Sequence, residues 1–124
     1  MAGLTLDAGA LIAFERADGR VREILALAFA RGIVPTVPAI ALAEVWRGDA
    51  RAVRVARLLK ACGIESLDKR GARDAGRLRR ATPGAKTIDA CIAAGASRRG
   101  DSVATSDPDD MRRLLGPGVT ILRV

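Results

Sequence analysis

The sequence has no histidine, and its only aromatic residues are one tryptophan and two phenylalanines. The missing histidine excludes every mechanism with an imidazole base and every imidazole metal site. Scarce aromatics mean a core of Ala, Val, Leu and Ile, with few platforms on which bases can stack. No apolar run approaches the roughly 20 residues needed to cross a bilayer. The opening stretch, "MAGLTLDAGALIAFE", lacks a basic segment and carries Asp7, which argues against a secretory signal. The two cysteines, Cys62 and Cys91, have no metal-ligand spacing and do not suggest a disulfide framework. A cytoplasmic protein is the expectation. No G-x-x-x-x-G-K-S/T or G-x-G-x-x-G follows a strand-like run, so a nucleotide-binding α/β domain would lack its phosphate loop. A phosphotransferase built on two aspartates would want an acid two residues after Asp7, where Gly9 stands.

What is present is an ordinary globular composition. The chain has 124 residues, 49% of them hydrophobic and 28% charged, which suits one domain with one core. Its formal charge is +7 and its pI about 10.9, which favours a polyanionic partner such as a nucleic acid.

Apolar strand-like runs alternate with helical ones. "GLTL", "IVPTV", "IESL", "DSVATS" and "GVTILRV" read as strands, with Pro35 suggesting that the second is an edge or has an irregular end. "GALIAFERA" reads as one or two helical turns. "DGRVREILALAFARG" has helical apolar spacing and Gly32 as a candidate cap. "PAIALAEVWRG" reads as a short helix with Pro38 in its first turn. "DARAVRVARLLKACG" reads as one amphipathic helix between Asp49 and Gly63, and "DKRGARDAGRLRRA" as a basic helix weakened by Gly71 and Gly76. "TPGAK" is a loop. "TIDACIAAGASRRG" is a small-residue helix closed by Gly100, and "DPDDMRRLLG" a short helix that starts at Asp107. Such alternation predicts an α/β fold in three α/β/α layers, around a mainly parallel sheet of four to five strands. Residues that follow the strands then line one edge of the sheet, the usual ligand crevice of open α/β folds.

Four acids stand where acids are costly. Asp7 ends the first strand, Glu44 is the only charge between Gly32 and Trp46, Asp89 interrupts an uncharged helix, and Asp107 follows the fourth strand. An unpaired carboxylate in apolar surroundings neutralises, pairs or binds a cation. Each acid also has a plain structural reading. Asp7 and Asp107 could be helix N-caps. Glu44 could pair with Arg47, and Asp89, which reads as too deep in its helix for a cap, with Lys86 or Thr87. Gathered together, the four would repel, and a hard divalent cation such as Mg²⁺ would relieve them. Asp110 is a further candidate; it and Asp109 are also acids that the helix dipole favours in a first turn.

The order "LDAGALIA", "ALAEVWRG", "TIDACIAAGA" and "VATSDPDDMRRL" resembles the PIN-domain nucleases, and more narrowly the VapC toxins of bacterial toxin–antitoxin pairs. The resemblance covers nearly the whole chain and implies a single PIN domain over residues 1–124. It matches Asp7, Glu44, Asp89 and Asp107 to the family's four acids, Asp110 to an additional one, and Thr105 to a hydroxyl residue near the site. The chain departs at Gly9, where many relatives carry Ser or Thr. The resemblance implies an endoribonuclease dependent on Mg²⁺ or Mn²⁺ that acts on structured RNA such as tRNA or rRNA. It also implies a homodimer and a cognate antitoxin.

The chemistry of the residues agrees. Metal-assisted hydrolysis needs no imidazole. Asp7, Asp89 and Asp107 are the expected metal ligands, with Glu44 orienting water or holding a second ion. Arg51, Arg54, Arg57 and Lys60 recur every three residues, and Arg70, Arg73, Arg77 and Arg80 crowd the next helical segment. The second set is the expected RNA contact. Two other readings stay open: a PIN-like nuclease outside toxin systems, and a non-catalytic module that binds nucleic acid or a protein partner.

Overall fold

The first apolar run forms strand β1 (Leu4–Leu6), and all three of its residues are buried. A strand covered on both faces belongs inside a parallel sheet. The computed structural model, which describes residues 3–124, places it there. With β2 (Thr36–Pro38), β3 (Gly63–Glu65), β4 (Ser102–Thr105) and β5 (Ile121–Arg123), it forms a sheet of order β3-β2-β1-β4-β5. Every neighbouring pair is parallel.

Helices cover both faces. On one, Leu11, Val21, Ile24, Leu25, Ala28 and Leu58 bring α1 (Ala8–Glu15), α2 (Gly19–Ala30) and α4 (Val53–Leu59) onto Leu4, Leu6 and Val37. On the other, Ala75, Ala90, Ala93, Ala96, Met111 and Leu114 pack α5 (Lys69–Ala81), α6 (Thr87–Arg99) and α7 (Pro108–Leu115) against Val103. The short α3 (Ala39–Val45) contributes to both through Val45 and Ala41. The expected α/β/α architecture is therefore present. The small residues of α6 let it lie close to the sheet. Gly100 ends it with φ 71°, a left-handed conformation in which glycine avoids the Cβ penalty. No described helix is long and apolar enough to cross a membrane.

Sequence patterning misplaced some details. Strand β2 is not an edge, since it pairs with β1 and β3. Pro35 lies just before it, outside the strand's own ladder, and its carbonyl accepts a hydrogen bond from the Gly63 N–H. Pro38 ends β2 and stands at the N-cap of α3, one place before the expected first turn. The expected helix from Asp49 to Gly63 is instead a 3-10 turn (Ala50–Ala52) followed by α4, which is capped at Lys60. Gly63 opens β3. Gly32 falls just beyond the α2 cap, Arg31.

One buried acid was not singled out in the sequence. Asp101 accepts hydrogen bonds from the Thr5 hydroxyl (2.7 Å) and Arg99 Nε (2.9 Å), and Arg99 also pairs with Glu65. This network fastens the start of β4 to β1. Asp101 takes both bonds on Oδ2 and does not line the cleft that Asp7, Glu44, Asp89 and Asp107 share.

Candidate active site

The strand order sets the place of the site. From β1 the chain runs outward through β2 to β3, then returns to lay β4 on the other side of β1. The switch point therefore lies between β1 and β4, and ligands of open α/β sheets bind outside the strand ends there. Register fixes the detail: Leu6 lies opposite Ala104, and the Asp7 N–H donates to the Ala104 carbonyl at 3.2 Å. Asp7 and Thr105 thus leave adjacent strand ends side by side.

Asp7, Glu44, Asp89 and Asp107 line one cleft of about 430 Å³, together with Gly9, Ile12, Lys86, Thr87 and Ser106. Asp7 comes from the end of β1, Glu44 from α3, Asp89 from the first turn of α6, and Asp107 from the start of α7. Asp110 stands outside the lining residues and lies 3.8 Å from Arg113.

Asp7 is the buried member, 6% exposed. It is a helix N-cap: its Oδ1 accepts from the Ala10 N–H at 2.8 Å. Burial pushes its pKa up to about 6, and the Asp89 charge adds to the rise. A hydrogen bond from Thr105 and the α1 amides opposes it. Asp89 is also pushed up, first by burial and then by Asp110, Asp107 and Glu44, while Lys86 opposes. These acids therefore feel one another's charge, as expected for carboxylates sharing a site.

Thr105 is fully buried and serves both sides of the switch point. Its hydroxyl donates to Asp7 and accepts from the Asp107 N–H at 2.9 Å. Asp107 occupies the N-cap position of α7, yet its side chain makes no capping bond. Thr105 instead holds the Asp107 backbone in place.

Two expectations need correction. Glu44 is exposed, not buried: Ala41 and Val45 take the inward face of α3, and Glu44 projects into the cleft. Arg47 does not pair with it; Arg47 pairs with Glu15. Asp89 is not deep in its helix. It is the third residue of α6, after the N-cap Lys86, where the helix dipole favours an acid. Lys86 and Ser106, both cleft residues, were not read as lining it. A basic residue ahead of an acid carries no signal that it faces a site.

The cleft's donors are all oxygens, suited to a hard divalent cation. Among the described residues no three acids already stand close enough to hold an ion, so the side chains would have to close on it. Away from the cleft, Arg70, Arg73 and Arg77 line a shallow groove on α5 with Lys69 and Asp74. Arg80 is exposed on the same helix but outside that groove.

Together, sheet and cleft define an α/β/α protein with an acidic site at its topological switch point. The PIN domain family matches residues 4–115, and the chain belongs to that family. A search of curated protein sequences finds no match. Solved structures share the fold. One is VapBC2 from Rickettsia felis bound to a DNA fragment from its promoter, with a TM-score of 0.79, 16% identity and 98% of each chain covered. DNA-bound VapBC from Salmonella typhimurium gives 0.72 at 22% identity, covering 98% of this chain and 97% of that one. A toxin–antitoxin complex from Klebsiella pneumoniae gives 0.76 at 20% identity, covering 95% and 96%. At these identities the likeness is one of fold.

Proposed function

We propose that the protein is a metal-dependent endoribonuclease of the VapC kind, cleaving structured RNA such as tRNA or rRNA and restrained by a cognate antitoxin. The observation that carries this reading is the convergence of Asp7, Glu44, Asp89 and Asp107, from four separate segments, on one cleft at the switch point. Membership of the PIN family supports nuclease chemistry. The toxin–antitoxin assemblies among the structural neighbours support the antitoxin.

Asp7, Asp89 and Asp107 would hold Mg²⁺ or Mn²⁺. Such an ion supplies Lewis-acid polarisation of the phosphodiester and an acidified water. Asp7, kept in place by Ala10 and Thr105, is the rigid member of the set. Glu44, exposed in the same cleft, would accept a proton from the attacking water. Lys86 offsets negative charge beside Asp89. The α5 arginines Arg70, Arg73, Arg77 and Arg80 hold RNA phosphates, which gives affinity with little sequence selectivity. Exposed Val34, Trp46, Val53, Ile64 and Leu67 offer apolar surface for the antitoxin and for a second copy of the chain.

The test is cleavage of labelled tRNA and rRNA by the purified protein in Mg²⁺, Mn²⁺ or EDTA, with Asp89→Asn beside it. Discrete cleavage that needs both the metal and Asp89 is the expected result. A folded, antitoxin-free protein that cleaves neither RNA in either metal refutes the reading.

A further inference from the structure

Gly9 lies in the first turn of α1, two residues after Asp7, and has no side chain to offer the cleft. Its missing side chain is nonetheless replaced. A Cβ built on Gly9 would lie 1.9 Å from the Ser106 Oγ, 2.7 Å from the Ser106 Cβ and 3.1 Å from the Ser106 amide nitrogen. The Ser106 side chain, which arrives from the loop between β4 and α7, therefore occupies the volume that a residue at position 9 would fill. Both residues line the acidic cleft. The loop is itself anchored next door, where the Asp107 N–H donates to Thr105. A hydroxyl set there, between the N-terminal turn of α1 and Asp107, can donate to a phosphoryl oxygen as well as accept.

We infer that Ser106 is a substrate-contacting residue of the nuclease site, its hydroxyl donating to a phosphoryl oxygen of the bound phosphodiester, and that glycine at position 9 is what admits it. This rests on the nuclease reading above. The pair acts as one unit: the α1 turn supplies the space and the β4–α7 loop supplies the group. Neither residue is informative alone, because a glycine after an aspartate and a serine before one are both ordinary turn and cap neighbours.

Two sets of variants test it. The first reads packing by thermal melting, without activity. Gly9→Ala lowers Tm, because the backbone and Cβ of Ser106 cannot rotate away; Gly9→Ala with Ser106→Gly recovers most of the loss, and the interaction energy is read from the cycle. Additive effects would show that the two positions do not share one space, and would overturn the inference. The second reads the hydroxyl by steady-state cleavage. Ser106→Ala keeps the Cβ and the fold and lowers kcat by about 10- to 100-fold with little change in KM, below the usual loss for a fully enclosed donor. Ser106→Thr retains the hydroxyl and most of the rate. Gly9→Ser with Ser106→Gly, which returns a hydroxyl from the other chain segment, cleaves faster than Ser106→Gly alone. If the parent protein cleaves and needs Asp89 while Ser106→Ala is unchanged in kcat, the role of Ser106 is wrong and the nuclease reading stands. If the parent cleaves nothing, both fall together.

Discussion

Asp7 makes the protein pay in stability for its site. Its pKa is 3.8 in an ordinary setting and about 6 in the fold, because burial disfavours the ionised form. Between those values the native state binds more protons than the unfolded chain, so stability falls as pH rises. The contribution is intact below about pH 4 and lost by about pH 7, where it amounts to about 3 kcal/mol at 1.36 kcal/mol per pK unit. Asp7→Asn removes the charge but keeps an amide oxygen that can cap α1, since Asn and Asp are equivalent caps. The variant should therefore be more stable than the parent at neutral pH by up to about 3 kcal/mol. For a chain of 124 residues that is a Tm rise of up to about 12 °C, on a typical unfolding entropy of ~2 cal/mol/K per residue. At pH 4 the two should melt together. The assay is circular-dichroism melting of both proteins in EDTA from pH 4 to pH 8. Because only residue 7 differs, the difference curve reports its titration together with its coupling to Asp89. Parallel curves across this range would falsify the argument that a desolvated, ionised Asp7 strains the folded state.

Mg²⁺ favours the ionised carboxylate, so it should stabilise the parent protein more at pH 7 than at pH 5, and Asp7→Asn very little at either; melting with and without the ion shows it. Asp89→Asn should abolish RNA cleavage and leave the circular-dichroism spectrum unchanged, since Asp89 is only half-buried and makes no capping bond. Thr105→Val should cost about 1–3 kcal/mol by urea melting, because the Asp107 amide loses its acceptor and Asp7 loses a donor. Replacing Arg70, Arg73, Arg77 and Arg80 with Gln should weaken RNA binding and flatten its salt dependence by about 0.7 in log–log slope for each phosphate no longer neutralised. An unchanged slope would place the RNA elsewhere.

The sheet and its layers were legible because short strand-like runs such as Leu4–Leu6 and Ser102–Thr105 alternate with helical ones. Asp7 and Asp107 could be placed at the sheet edge from that alternation alone. Other features depend on direction in space, which a run of residues does not carry. Glu44 has apolar neighbours in sequence, but a helix turns 100° per residue, so Ala41 and Val45 go inward while Glu44 meets the cleft. Pro35 misled because its missing donor suggests an edge, whereas its carbonyl is what the neighbouring strand uses. Lys86 and Ser106 reach the cleft through tertiary packing, and no spacing rule marks them.

The switch point also has a consequence in time. Asp7 lies near the start of the chain, and its neighbouring strand, β4, begins only at Ser102. Until β4 docks, the first strand has β2 beside it but no partner on its other side. The loop with Thr105, Ser106 and Asp107 reaches the site only with that strand. A partly folded chain that has formed only β1, β2 and β3 thus has acids but no cleft to gather them.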